Sequence, residues 1–302
     1  MPRRIPQKEI KRLPSAGGWG QRGVSASVGA FFFRHCMGVA VSGTPGILRR
    51  GEPMRPFDDL VAEAEAADVS GWGFDWLAGR ATEERPPWGY AKLLAQHLAG
   101  VQAALDLDTG GGEVLGEASR FPPVMYATEA WPPNARKAHD LLVGRGVQVI
   151  QTAPGAALPF ADASFELVTS RHPVNPDWAE IRRVLKPGGR YLAQHVGAAS
   201  AFELIEHFLG PLPQQRRLRD PQEEAAAAAA AGLTVMDLRS ARCRMIFHDV
   251  GAVVWILRKC VWWVPDFSAD KYRAALLALD DRMRAGEPFV AHSTRHLIEA
   301  RR

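Results

Sequence analysis

Residues 104–115, ALDLDTGGGEVL, limit the fold of this chain more than any other stretch. A short apolar strand pattern runs here into three consecutive glycines, and a helical pattern follows. Glu129 closes the next strand-like segment, YATE, 17 residues after Gly112. A strand, a glycine turn and a carboxylate about 20 residues further on are the parts of a βαβ unit that holds a nucleoside by its ribose.

The spacing of the glycines excludes two phosphate-binding motifs. A dinucleotide fingerprint that begins at Gly110 and Gly112 needs a third glycine at position 115, where the chain has Leu115. A phosphate loop needs a lysine and a hydroxyl residue directly after its last glycine, and neither is present. The remaining interpretation is a turn that brings backbone close to a ligand, as suits a cofactor with an amino-acid tail.

Strand and helix patterns alternate through the middle of the chain. The strand segments are ALDLD, VMYAT, VQVIQ, ELVTS and RYLAQHV, and helical segments such as ARKAHDLLVGR and PDWAEIRRVLK separate them. This alternation predicts a doubly wound α/β fold with helices on both faces of a parallel sheet. Ligands of such sheets bind at the carboxyl ends of the strands. The KPGG segment at 186–189 is predicted to end a helix and turn into the fifth strand.

These segments together resemble the class I S-adenosylmethionine-dependent methyltransferases, close to the type 11 group. The LPF…SFELV and RVLKPGG segments carry most of the resemblance, and the MIFHDVGAVVWILRKCVWWVPDF tail looks like one bacterial subfamily. The resemblance covers residues 54–302. It implies a Rossmann-like, seven-stranded sheet that is mostly parallel, with an antiparallel edge hairpin and an N-terminal helical cap. The apolar helix in the tail is expected to roof the pocket, and docking of a partner is the alternative.

The resemblance also implies which residues bind S-adenosylmethionine. Glu129 would accept hydrogen bonds from the ribose hydroxyls, although an acid placed before a helix can simply stabilise its dipole. Leu158 would lie against the adenine, and Arg171 follows the fourth strand beside the transferred methyl group. The residues expected around the methionine part are Asp106, Thr109, Gly110, Gly111 and Gly112.

Two positions depart from the family pattern. Asp108 stands where related chains carry the first glycine of the turn. Its carboxylate would repel Asp106 and the cofactor's carboxylate, would favour the sulfonium and amino group, or would point away from the site. The QTAPGAALPF segment before the adenine loop contains no acid to bind the adenine amino group. Adenine recognition would then use backbone groups or be weakened.

Methyl transfer from a sulfonium requires alignment of the nucleophile more than covalent help. Positioning alone can supply roughly 7–11 kcal/mol of barrier reduction, and a general base is needed only for a protonated acceptor. His172 is the candidate catalytic residue, as a base or a substrate contact, because its ordinary pKa lets it act either way. A structural role at the strand end is the alternative. His195 and His207 are weaker candidates.

Three regions are expected along the chain. Residues 1–53 are basic and rich in glycine and proline, which predicts a disordered leader, either a transit peptide or sequence before a true start at Met54. Residues 54–98 form the helical cap, and residues 99–302 form the methyltransferase domain. The aromatic residues of the cap are expected to line a lid or simply to pack: Trp72, Trp76 and Trp88.

Charge and cysteine content limit the partners. The leader carries nine basic and two acidic residues, which leaves 28 basic and 31 acidic residues in the remainder. Nucleic acid is therefore not favoured, no membrane span is expected, and the expected acceptor is a small molecule. The alternatives are an RNA or protein acceptor, or a binding protein that no longer catalyses. Three scattered cysteines indicate no disulfide framework and no zinc site, and favour the cytoplasm. Oligomeric state stays open.

Overall fold

A computed structural model describes residues 55–70 and 73–302 of this chain. The expected leader, the start at Met54 and the position of Trp72 lie outside the described residues. No helix in the described ranges is both long and apolar enough to cross a membrane.

The described chain forms one eight-stranded sheet. Its strands are β1 (Ala81–Glu83), β2 (Ala103–Leu107), β3 (Val124–Glu129), β4 (Val147–Gln151), β5 (Phe165–Arg171), β6 (Leu185–Val196), β7 (Thr234–Phe247) and β8 (Phe289–Arg301). Their order across the sheet is β1-β7-β8-β6-β5-β2-β3-β4.

Five neighbouring strands are parallel, in the order β6-β5-β2-β3-β4 across the sheet. Strand β8 lies between β6 and β7 and is antiparallel to both. The predicted hairpin is formed by β7 and β8. The predicted Rossmann-like sheet is therefore confirmed, with one strand more than expected. The additional strand β1 comes from the cap and pairs with Met245–Phe247 at the end of β7.

Nine α-helices of the described chain cover the sheet. They are α1 (Phe57–Ala66), α2 (Tyr90–Leu98), α3 (Glu113–Gly116), α4 (Pro132–Leu142), α5 (Trp178–Val184), α6 (Phe202–Leu209), α7 (Pro221–Ala230), α8 (Val250–Lys259) and α9 (Arg273–Arg284).

The helix before the fifth strand ends earlier than the sequence predicts. Helix α5 stops at Val184, and the KPGG segment already belongs to β6. The pairing of β5 with β6 shifts register between Phe165 and Leu167, so this segment forms an irregular strand start. A Cβ at Gly189 would lie 2.9 Å from the Lys186 carbonyl oxygen, because the backbone folds back on itself there.

Three hydrophobic cores lie against the two faces of the sheet and at its hairpin end. Helix α8 is a core helix that packs on α1 and shares a core with Phe247 and Phe289. Trp76 of the cap stacks on Trp255 of α8 at 5.6 Å. The indole of Trp255 also donates to the Asp68 carbonyl. Part of the aromatic cap is thus packing.

Candidate functional site

The loop after β2 turns sharply because three of its residues have positive φ. The φ angles are +53° at Asp108, +65° at Gly110 and +82° at Gly112. A Cβ at Gly112 would lie 2.8 Å from Leu142 Cδ1, whereas the corresponding space at Gly110 is open. Gly112 therefore lets α4 pack against the loop, and Gly110 leaves room for a ligand to approach the backbone.

Glu129 joins this loop to the end of β3. Its Oε2 accepts a 2.9 Å hydrogen bond from the backbone N–H of Gly110, and its Oε1 accepts a 2.8 Å bond from that of Trp131. The side chain is buried, and burial raises its pKa despite these two bonds. Each carboxylate oxygen keeps a second lone pair for another donor. Trp131 itself is 37% exposed and is not a core residue.

Asp106 lies at the end of β2 and is also buried. Its Oδ1 accepts a 2.5 Å hydrogen bond from the hydroxyl of Thr169, its register partner on β5. Burial raises the pKa of Asp106 to about 6, although the Thr169 hydrogen bond lowers it and the charge of Asp108 raises it further.

Three carboxylates thus face one small region at the carboxyl ends of β2 and β3. The charge of Asp108 raises the pKa of both Asp106 and Glu129, which places it close to the two. The left-handed φ of Asp108 is the conformation that glycine adopts easily and that aspartate tolerates better than most residues. The region favours a ligand with positive charge.

The adenine loop expected at Leu158 is tied to α5. The backbone N–H of Leu158 donates a 2.7 Å hydrogen bond to Glu180, and its carbonyl accepts a 3.0 Å bond from Arg183. Glu180 and Arg183 also form an ion pair with each other. These supporting residues were missed by sequence analysis, because a Glu and an Arg three residues apart on a helix look like an ordinary surface pair.

The segment that contains these site residues matches a known family. Residues 105–193 match the family model of a methyltransferase domain, which covers the glycine loop, Glu129, the adenine loop and the end of β5. Residues 105–193 of this chain are thus a methyltransferase domain. A search of curated proteins finds no match to this chain.

One solved structure shares the fold of this domain, and two others are similar to this chain at lower TM-scores. A protein from Bacillus halodurans C-125 assigned as a methyltransferase has 19% identity and a TM-score of 0.50, over 70% of this chain and 97% of its own. A protein from Galdieria sulphuraria assigned as a sarcosine dimethylglycine methyltransferase has 19% identity and a TM-score of 0.44, over 70% and 84%. Geranyl diphosphate C-methyltransferase from Streptomyces coelicolor A3(2) has 17% identity and a TM-score of 0.43, over 70% and 74%.

The other side of the methyltransferase site is formed where β5 ends. His172 is buried, has a φ of +59°, and its backbone N–H donates a 2.7 Å bond to the Gln194 carbonyl. The Gln194 side chain on β6 connects His172 to the cap. Its Nε2 lies 3.1 Å from Nε2 of His172, and its Oε1 accepts a 2.8 Å hydrogen bond from the indole of Trp88.

This chain of contacts fixes the tautomer of His172. The indole nitrogen of Trp88 can only donate, so the carbonyl oxygen of Gln194 must face it. The amide nitrogen of Gln194 then donates to Nε2 of His172, which must be unprotonated. Neutral His172 therefore carries its proton on Nδ1 and can offer a hydrogen bond there, whereas its basic nitrogen is already occupied.

Arg171 and Tyr90 complete this side. The Tyr90 hydroxyl donates a 2.9 Å hydrogen bond to the Ser170 carbonyl, and the side chain is buried. Burial raises the pKa of Tyr90, the charge of Asp106 raises it further and that of Arg171 lowers it, so the three are close together. Burial and the charge of Arg295 lower the pKa of Arg171. Sequence analysis missed Tyr90 and Gln194, because their helix and strand patterns mark them only as core positions.

The two weaker histidine candidates lie elsewhere. His195 follows Gln194 in β6 and contacts Tyr191 and Trp178, so its side chain lies on the opposite face of the sheet from Gln194. His207 on α6 lies 3.2 Å from the Ala275 carbonyl on α9. Neither side chain is brought to the end of β5.

Proposed function

We propose that this enzyme transfers a methyl group from S-adenosylmethionine to a small-molecule acceptor. Residues 99–302 would form the catalytic domain and residues 54–98 the cap, with the acceptor bound between the cap and the ends of β5 and β6. The contact of Glu129 with the backbone of Gly110 is the observation that carries the proposal. It brings the ribose-binding carboxylate of the family pattern to the glycine loop.

The donor groups fit this cofactor. Glu129 offers its remaining lone pairs to the two ribose hydroxyls, and the open side of Gly110 admits the ribose and methionine part. Asp106 and Asp108 supply negative charge for the amino group and the sulfonium. Thr109 and Gly111 complete the loop, and its backbone is anchored because the Thr109 N–H donates a 2.9 Å bond to the Thr128 carbonyl.

Arg171 is proposed to bind the carboxylate of the cofactor's methionine part. Burial and the neighbouring positive charge of Arg295 disfavour its charged form and lower its pKa, and a ligand carboxylate would offset both effects. Leu158 would pack against the adenine, held in place by Glu180 and Arg183.

The bound cofactor supplies an already activated methyl group. The chain's own residues then need to orient the acceptor and exclude water. Nδ1–H of His172 is proposed to hold the acceptor by a hydrogen bond, while Trp88 and Tyr90 cover it from the cap side. In this role His172 is a positioning and substrate-contact residue, since Gln194 occupies its basic nitrogen.

A small acceptor is favoured over RNA or protein because each of the two short basic segments of the folded region has one of its arginines in an ion pair with an acid. Arg216 forms a 2.6 Å ion pair with Glu206, and Arg242 forms one of the same length with Glu203. These arginines belong to the RRLR and ARCR segments, the two basic hints in this region. We further propose a cytoplasmic location on the strength of the buried Cys243, which forms no disulfide bond among the described residues, to be tested by cell fractionation.

Calorimetric titration with S-adenosylmethionine tests the cofactor assignment. Glu129→Gln is expected to weaken binding by about 1–3 kcal/mol, because the amide replaces a charged acceptor. Glu113→Gln is the matched control, since Glu113 is exposed and pairs with Lys137. Binding that is equal in the wild type, Glu129→Gln and Glu113→Gln would disprove the ribose assignment. Removal of residues 1–53 is expected to leave the affinity unchanged.

The acceptor class is tested by following S-adenosylhomocysteine formation. The wild-type protein is incubated with S-adenosylmethionine and a panel of small oxygen, nitrogen, carbon and sulfur nucleophiles, and separately with RNA and with protein. Turnover with a small molecule and none with RNA or protein is the expected result. Turnover that requires a macromolecule, or cofactor binding without any turnover, would overturn the acceptor proposal.

A further inference from the structure

Three metal-binding side chains converge on the face of the sheet opposite Gln194. His195 on β6 and His296 on β8 are register partners in the antiparallel pair, and Glu224 comes from the first turn of α7. His195 Nδ1 and His296 Nε2 both contact Oε2 of Glu224, the latter at 3.0 Å. The two histidines are at most 1% exposed.

We propose that His195, His296 and Glu224 form a binding site for one divalent transition-metal ion of the zinc type. Their three ligand atoms all lie within 4.8 Å of one another. Zinc lies about 2.0–2.2 Å from nitrogen and carboxylate ligands, so an ion between the three atoms requires only small side-chain movements. Two imidazoles and one carboxylate are a donor set that zinc commonly takes, with water as the fourth ligand.

The surroundings of His195 fit a metal ligand. Its second ring nitrogen, Nε2, lies 3.1 Å from the hydroxyl of Tyr191, and the ring stacks on Trp178 at 6.1 Å. A ligand histidine normally donates its other N–H to such a partner, which orients the ring.

Hydrogen bonding alone leaves this cluster incomplete. Both rings contact the same oxygen of Glu224, and Nδ1 of His296 is buried with no hydrogen-bond partner among the described residues. Since Nε2 of the same ring contacts Glu224, the group that Nδ1 lacks is an outer-shell partner such as a buried water, and not the ion itself. The Glu224 side chain is 17% exposed, so solvent can reach the cluster and supply the fourth ligand.

The position of the cluster indicates a stabilising role. His195 and Gln194 are neighbours in β6 and point to opposite faces, so the cluster lies across the sheet from His172. A bound ion would fasten α7 to the β6–β8 pair. We therefore expect metal to raise thermal stability and to leave cofactor binding unchanged.

Zinc titration of the full, untagged chain tests this site after treatment with a chelator and dialysis. Calorimetry and metal analysis are expected to give one ion per chain and a zinc-dependent rise in the melting temperature. Glu224→Gln and His296→Asn are each expected to weaken binding at least tenfold. Tyr191→Phe is expected to weaken binding about 10–100-fold, as found when outer-shell partners of metal ligands are removed.

His292→Gln is the matched control, because His292 forms a comparable pair with Glu203 at 3.0 Å but has no second histidine beside it. This variant is expected to bind zinc like the wild type. No zinc binding by the wild type, or equal binding by the wild type and Glu224→Gln, would overturn the proposal. If the variants fail to fold, cobalt titration of the wild type decides: zinc-displaceable tetrahedral absorption supports the site, and its absence overturns it.

Discussion

Asp106 and Thr169 are register partners on β2 and β5 and share a 2.5 Å hydrogen bond between hydroxyl and carboxylate. This one bond does not offset the burial of the carboxylate, whose pKa is raised from 3.8 to about 6. Asp106 therefore costs stability whenever it is ionised in the folded protein. Two predictions concern its titration.

The first prediction concerns stability. The pKa of Asp106 is higher in the folded protein than in the unfolded chain, so ionisation of this carboxyl lowers the free energy of unfolding. This loss is absent below about pH 3.8, grows as the pH rises, and is complete above about pH 6. Relative to Asp106→Asn, the wild type is expected to lose up to about 3 kcal/mol of unfolding free energy between pH 4 and pH 7. Urea unfolding of both proteins across this range measures the difference. A constant difference would show that the pKa is not raised.

The second prediction concerns cofactor affinity. A cationic cofactor beside Asp106 favours the ionised carboxylate, so S-adenosylmethionine is expected to bind more tightly as the pH rises through 6. Below pH 6, binding should release a proton, which calorimetry in buffers of different ionisation enthalpy detects. Asp106→Asn should abolish most of this release and leave the contribution of Glu129, whose pKa burial also raises. Proton uptake on binding would contradict the assignment.

The third prediction concerns the backbone at Asp108. Because φ is +53° there, Asp108→Ala is expected to be less stable than Asp108→Gly by about 1 kcal/mol. Thermal or urea unfolding of the two variants gives the comparison. An alanine variant as stable as the glycine variant would mean that the loop relaxes to another conformation.

The fourth prediction concerns the tautomer of His172. Trp88→Phe removes the indole N–H that donates to Oε1 of Gln194. The side-chain amide of Gln194 can then turn over, so that either ring nitrogen of His172 can carry the proton. We expect ¹⁵N shifts of the imidazole to show the Nδ1–H form in the wild type and a mixture in the variant. A stability loss of about 1–3 kcal/mol should accompany the change. An Nε2–H form in the wild type would refute the network.

The sequence predicted the parts of this fold that are set by local pattern. The β4 segment 147–151 and the approach of Glu129 to Gly110 follow from strand periodicity and from the geometry of a strand–turn–helix unit. Strand β1 was not predicted, because three residues, ATE, carry no periodic signal and are extended only through pairing with β7. Its existence depends on a partner more than 160 residues away along the chain.

Side-chain networks were harder to predict for the same reason. Glu224 lies in a helix that reads as featureless polyalanine, and its partners His195 and His296 belong to two other elements. Only the register of β6 with β8 brings the two histidines together. Likewise, Gln194 is a polar residue in a largely apolar strand segment, and only the fold shows that it lies between His172 and Trp88.

The short strand β1 has a last consequence, for self-association. It pairs with Met245–Phe247, and Glu84 extends the contact to Arg244, so residues 234–243 of the long strand β7 have no strand partner on that edge among the described residues. That stretch carries Asp237, Arg239 and Arg242, whose charges oppose the docking of a second strand. Replacing these charged residues with apolar ones would let this strand edge pair with a second chain and form fibrous or domain-swapped aggregates.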